Sequence, residues 1–303
     1  MLPGAPDHKE EIAQIEIAGY HPRHSIMKKV LLISDGESFP QCAFDFACSL
    51  NETEPVLLTG LFLPPMNYIA SLTEAGRVVL GLPLAENYVD APTVGEVIAL
   101  FEKKCISQGL EYRIHSEITN ADAIAGDISI ESRFSDLIVM GNLNLPDTSG
   151  GYIQDEEIDT VSRHAECPVM IIPEHGCNVL RVTMAYDGSS ACMHAIKQFI
   201  YLFPQYATLE TEIVYADGDE ADNLPDLQRM EEYASRHLPK LTFTKLDIEP
   251  KTYFDTWLSA KPDTMLVAGS GGRSWLSELL KKSFTDKVLQ VRNVPVFTAH
   301  GRN

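Results

Sequence analysis

One pattern occurs twice along the chain. Residues 30–38, VLLISDGES, and 182–190, VTMAYDGSS, each run from an apolar stretch into Asp-Gly and then a Ser suited to cap a following helix. Further on, DLIVMGN at 136–142 matches TMLVAGS at 264–270, and HAECPVMII at 164–172 matches VRNVPVFTA at 291–299, in the same order. A repeat with this spacing, in a chain of 303 residues, predicts two domains of the usual size of about 150 residues. Asp35 and Asp187 then correspond, as do Gly141 and Gly269. The break falls at 173–179, PEHGCNV, where turn-forming and polar residues interrupt the pattern. The expected layout is a tail over 1–26, an N-terminal domain over 27–173, a linker over 174–178 and a C-terminal domain over 179–303. Met27-Lys28-Lys29, leading straight into an apolar strand, reads as a second start.

Within each half the period alternates between strand and helix. In the second half, apolar strands are expected at 181–186, 209–216, 241–248, 264–268 and 294–299. Between them, Asp226 to Leu238 reads as a helix with Leu227, Met230, Ala234 and Leu238 on one face. Near-continuously apolar strands alternating with helices mean parallel sheets covered on both sides. The fold class is therefore α/β, as two tandem doubly wound five-stranded parallel-sheet domains. In such sheets ligands bind beyond the carboxyl ends of the strands, which is where Asp35, Asp187, Gly141 and Gly269 fall.

With 24 Lys and Arg against 43 Asp and Glu, the net charge of −19 opposes nucleic-acid backbones and anionic lipid surfaces. A small phosphorylated ligand survives that field, because a few backbone N–H groups and local cations suffice to hold it. The six cysteines form no CxxC pair and read as reduced thiols of a cytoplasmic protein. The most apolar run, 56–66, is broken by Gly60 and Pro64 and falls short of the roughly 20 residues a spanning helix needs. No GxSxG elbow and no HExxH or Cys/His pair with ligand spacing occurs, so neither a catalytic set nor a metal site is expected. His164, His194 and the two tryptophans, Trp257 and Trp275, read as surface or packing residues.

Residues 266–288, LVAGSGGRSWLSELLKKSFTDKV, hold the most chemistry. A strand runs into Gly269-Ser270-Gly271-Gly272, whose glycines allow a tight turn with successive N–H groups aimed at an anion. Ser283-Phe-Thr-Asp286 has the spacing of a capping box opening a helix, whose positive end favours the same anion. Arg273, Lys281 and Lys282 add local positive charge. A glycine-rich turn followed by an ordinary helix cap explains these residues equally well.

The duplicated strand–Asp pattern, the glycine-rich loop and the closing V-P-V strand resemble the universal stress protein (UspA) family, here as a tandem pair over 27–300. That resemblance implies a Rossmann-like fold of the adenine nucleotide alpha hydrolase-like type. It also implies the loop motif G-x-x-G-x9-G-[S/T], which Gly269, Gly272 and Ser283 fit, whereas Lys282 replaces the third glycine. Asp187 would then contact ribose or adenine with Ala185 nearby, Ala216 would receive the adenine edge, and Ala268 would line the pocket. The plain reading of Asp187 is a turn carboxylate at a helix start. The resemblance further implies association through edge strands, for which Pro168 to Ile172 and Pro295 to Ala299 are the candidates, making an intramolecular pseudo-dimer and leaving a further homodimer open.

The first half departs from the motif. Asn144 replaces the second glycine, and Asp155, Glu156, Glu157 and Asp159 crowd the segment before the last helix, where they would repel a phosphate. Residues 63–93 read as an insertion. The expectation is a regulator of the stress response that binds ATP, with Mg²⁺, in its C-terminal domain and is not an efficient enzyme. Slow ATP hydrolysis lacks an identifiable base. The competing expectation is a nucleotide-free interaction module of the same fold.

Overall fold

The computed structural model describes residues 27–36, 38–63, 94–115, 124–141, 161–162, 164–174, 178–216, 226–246, 250–270 and 294–300. Among the described residues ten strands form one sheet: β1 Lys28–Ser34, β2 Val56–Phe62, β3 Glu111–His115, β4 Leu137–Met140, β5 Val169–Ile171, β6 Arg181–Ala185, β7 Glu210–Ala216, β8 Leu241–Leu246, β9 Thr264–Ser270 and β10 Val296–His300. Between them lie helices α1 Gln41–Thr53, α2 Val94–Gln108, α3 Ile124–Arg133, α4 Ser190–Leu202, α5 Leu227–His237 and α6 Pro250–Ser259. The insertion read at 63–93 lies outside the described residues from 64 onward.

The strand order is β3-β2-β1-β4-β5-β10-β9-β6-β7-β8. Each half thus repeats one arrangement of five parallel strands, and its register repeats too: Val30 lies opposite Leu137 and Val182 opposite Met265, the residues that the sequence matches equate. Connections from β1 to β2 to β3 move toward one edge and that from β3 to β4 returns, so right-handed crossovers place α1 and α2 on one face and α3 on the other. Phe44 of α1 and Phe101 of α2, with ring centroids 6.2 Å apart, pack together on that shared face. The same logic places α4 and α5 together and α6 opposite them, and Lys197 of α4 lies 5.6 Å from the Tyr233 ring of α5.

The strands form where the sequence is continuously apolar. Val30 to Ile33, Leu137 to Met140 and Met265 to Val267 are buried on both faces, as a doubly covered parallel sheet requires. In α5, Met230 and Ala234 are buried, as is Leu238 just beyond the helix, and Leu227 packs against the same core, so the face read from the sequence is the one that docks.

The halves meet along β5 and β10, which pair antiparallel: Val296 with Ile171, Phe297 with Met170, Thr298 with Val169. These lie within the two edge segments named from the sequence. Since Val169 and Val296 are matched positions in the repeat, the pairing is self-complementary about the Met170–Phe297 contact, as in a two-fold interface. An aromatic cluster backs the seam. Phe46 of α1 meets Phe203 at 6.1 Å and Tyr206 at 6.4 Å between centroids, and Phe199 and Phe203 pack on Phe297 at 5.4 and 5.7 Å. Helix α4 carries no basic residue in its last turn, and Lys28, from the other half, donates from Nζ to the Leu202 carbonyl at 2.7 Å while pairing with Glu54 at 2.7 Å. A cation at a helix carboxyl end faces the negative pole of the helix dipole.

The threonine hydroxyls of Thr59 and Thr298 are buried in this core with no hydrogen-bond partner among the described residues. In the repeat, Thr298 matches Ile171, which is already aliphatic. Thr298→Val is therefore expected to stabilise the chain by about 1 kcal/mol, since an unpaired buried hydroxyl forfeits its hydration. Urea melts of the two proteins measure this, and a lower midpoint for the variant would refute it.

Candidate functional site

At the carboxyl end of β6 the chain passes through buried Ala185 and Tyr186 to Asp187. Gly188, with φ 82°, supplies the left-handed turn that lets the chain reverse. Asp187 Oδ1 accepts the Ser189 N–H at 2.8 Å, and Ser189 Oγ accepts the Cys192 N–H at 3.2 Å, capping α4. The plain reading of Asp187, a turn carboxylate, thus describes one of its oxygens. Strand β9 ends beside this turn. Ala268 is buried, and Gly269 lies so close to the first turn of α4 that a Cβ there would come within 2.5 Å of Ala191 C and Cys192 N. Ser270 follows, its carbonyl 3.0 Å from His300 Nδ1, so that nitrogen carries the proton.

The structure therefore brings Ala185, Asp187, Ala268 and Gly269 together around the amino end of α4. Ala216 closes β7, the strand next to β6. Gly272, Lys282 and Ser283 lie outside the described residues, as do Gly271, Arg273, Lys281 and the acidic run 155–159. Strands β7 and β9 flank β6 on opposite sides: the chain moves outward from β6 through β7 to β8 and then returns to β9, which makes this the reversal point where sheets of this kind bind ligands.

Electrostatics at this end is acidic on one side. Burial pushes the Tyr186 phenol above its ordinary range, and the Asp226 carboxylate, the Cys192 thiol and the Asp187 carboxylate add to the shift. Burial, then the Asp187 charge, holds Cys192 up to about 12, so it stays a protonated thiol that fills space. His194, on the second turn of α4, is shifted downward by burial and by the nearby His300 and Lys197. Carboxylates here suit hydroxyl donors. Among the described residues no group of three or more His, Cys, Asp or Glu could hold a metal.

The serine expected to cap the following helix is realised here as Ser189, whereas α1 of the other half starts after Pro40 with no side-chain cap; sequence reasoning missed Cys192 as part of this junction. The Ser-Ser-Ala-Cys run after Asp-Gly carried the signal, as small residues at a helix start opposite a strand-end glycine.

In the other half, Asp35 is buried and its Oδ1 accepts the Ser38 N–H at 3.3 Å, while Ser34 Oγ accepts the Gly36 N–H at 3.2 Å. The cavity here is only about 170 Å³, bounded by Asp35, Pro40, Cys42, Gly141 and Glu174. Ligand pockets commonly run from about 300 to 1,000 Å³.

With that geometry in place, the solved structures supply a parallel. A universal stress protein from Archaeoglobus fulgidus DSM 4304 superposes with a TM-score of 0.56 at 17% identity, covering 90% of this chain and 96% of that one. The fold is thus the doubly wound, mostly parallel α/β fold of that protein. A C2-type ketoreductase from a modular polyketide synthase aligns with a TM-score of 0.20 at 7% identity, over 86% of this chain and 66% of that one, and carries no argument. No family model and no curated protein matches the sequence. Among the described residues no helix is long and apolar enough to cross a membrane.

Proposed function

We propose that the chain is a tandem universal stress protein-type regulator that binds an adenine nucleotide, ATP with Mg²⁺, at the carboxyl end of β6, β7 and β9, and turns it over inefficiently or not at all. The supporting observation is the meeting of Asp187, in the turn after β6, with Gly269, near the end of the adjacent β9, at the point where the strand order reverses. The spacing of Gly269, Gly272 and Ser283 in the sequence, and the match to nearly the whole length of the Archaeoglobus protein, favour the same reading. Lys282 in place of a glycine would pair with a phosphate. The N-terminal half, with its small cavity beside Asp35, serves as a structural partner and leaves the nucleotide to the other half.

Calorimetric titration of the whole chain with MgATP is expected to show one site, lost in Gly272→Val. No heat at millimolar nucleotide would sink the reading. A nucleotide-free interaction module is the second reading, favoured by one finding: Asp187 Oδ1 and Gly269 both have work in holding α4 without any ligand. Copurification of nucleotide with the protein would eliminate it.

A further inference from the structure

Where β6, β7, β8 and β9 begin, one face of the sheet breaks the rule that central parallel strands are apolar. Arg181 lies opposite Glu210 on one side and Thr264 on the other, and Thr183 lies opposite Glu212, which in turn lies opposite Thr242. Directly opposed residues share a face, so the sheet is polar from its edge at Arg181 and Thr264 in to Thr183, whose other neighbour is the buried Leu266. A groove of about 740 Å³ opens over it, walled on its far side by the turn Ala260–Pro262 that follows α6. That volume lies within the usual range for small-molecule sites.

The groove holds an ion pair that the fold does not require. Glu212 Oε1 accepts from Thr244 Oγ1 at 2.6 Å, and its other oxygen pairs with Lys261 Nζ, which lies 4.0 Å from the centre of the Trp257 ring. Both charged side chains are about three-quarters buried. Desolvating two charges roughly cancels their attraction, so such a pair contributes little stability. At the matching position of the other half stands Thr59: Val30 is opposite Leu58 just as Val182 is opposite Thr211, and Thr59 and Glu212 follow. The same architecture therefore forms without the carboxylate.

The charges point to the ligand. The lining carries three cations, Arg181, Lys240 and Lys261, against two carboxylates, Glu210 and Glu212. Arg181 pairs with Glu210 at 3.1 Å and Lys261 with Glu212, which leaves the exposed Lys240 ammonium without a partner among the described residues. Threonine hydroxyls both donate and accept, and Glu212 accepts only. We propose that this groove is a ligand site for a small hydroxylated anion, of the sugar phosphate or sugar acid class. Lys240 pairs with the anionic group, and Thr183, Thr242 and Glu212 bond the hydroxyls. The site is distinct from the one at the carboxyl ends of the strands and does not depend on nucleotide binding there.

Heteronuclear NMR titration of the whole chain with gluconate, glucose phosphate and inorganic phosphate tests this. Saturable shifts at residues of β6, β7 and β8 are expected with gluconate or glucose phosphate, and the arm that binds more tightly identifies the source of the anion. Inorganic phosphate, lacking hydroxyl-bearing carbons, should bind roughly tenfold more weakly, and Lys240→Ala and the near-isosteric Thr183→Val should each weaken the preferred ligand roughly tenfold. Lys240 is exposed, so its removal leaves the core intact. No saturable shift with either hydroxylated anion, affinity unchanged in both variants, or inorganic phosphate binding as tightly as glucose phosphate would each overturn the proposal.

Discussion

Gly269→Ala is expected to cost about 3 kcal/mol of unfolding free energy, near the upper end for a methyl forced into close-packed space. The added Cβ would lie 2.5 Å from Ala191 C and Cys192 N and 2.8 Å from Ala191 O, and these are backbone atoms at the start of a helix that cannot swing aside. The matched glycine offers the control. At Gly141 a Cβ would meet Ile172 O only at 3.8 Å and Pro40 Cβ at 4.0 Å, so Gly141→Ala should change stability by no more than about 0.5 kcal/mol. Chemical denaturation of the two variants measures the difference. Equal stabilities would show that the amino end of α4 has room to withdraw. A Gly269→Ala protein that melts like the parent and binds no ATP would instead assign the glycine wholly to the ligand.

The second large effect lies at the seam. Phe203, 1% exposed, packs against Phe199, Phe297, Tyr206 and, from the other half, Phe46. Phe203→Ala is expected to cost about 3–5 kcal/mol, the range for emptying a buried aromatic site. Because the cluster draws on both halves, the variant should melt in two steps where the parent melts in one. Near-ultraviolet circular dichroism together with limited proteolysis distinguishes the cases, and a cost below about 1 kcal/mol would refute the role given to the cluster. The separated halves, 27–173 and 179–303, would expose β5 and β10 as bare edges, and an unpaired edge strand recruits another. They should self-associate or lose stability; two stable monomers would contradict this.

Much of this fold was legible because its signals are local and repeated. Continuous apolar runs located the strands from 30, 137, 182 and 265, and a three- and four-residue spacing located the buried face of α5. The strand ends were less sharp: the strand read to 186 stops at Ala185, and that read from 264 to 268 continues to Ser270, because hydrogen bonding to a neighbour decides an end. The seam cluster was not legible. Phe46, Phe203 and Tyr206 come from separate elements and follow no period, and no local rule tells Lys28 to reach the last carbonyl of a helix in the other half. At the candidate site, a strand-end glycine reads alike whether a helix or a ligand must come close, since both require the absence of a side chain. At Gly269 it is the helix that comes close. The polar face under α6 is not legible either, because Thr and Glu alternate with apolar residues in β7 and β8 as they would in any strand wet on one side.

At the centre of the seam Met170 faces Phe297. Two identical subunits joined in this way would have to set one residue against its own copy, and every substitution there would be made twice. A single chain escapes that constraint. A long flexible side chain can be fitted to a flat ring, and either partner can change while the other stays fixed. The same freedom lets Glu212 arise where its counterpart remains Thr59, so one half can acquire chemistry without imposing it on the other.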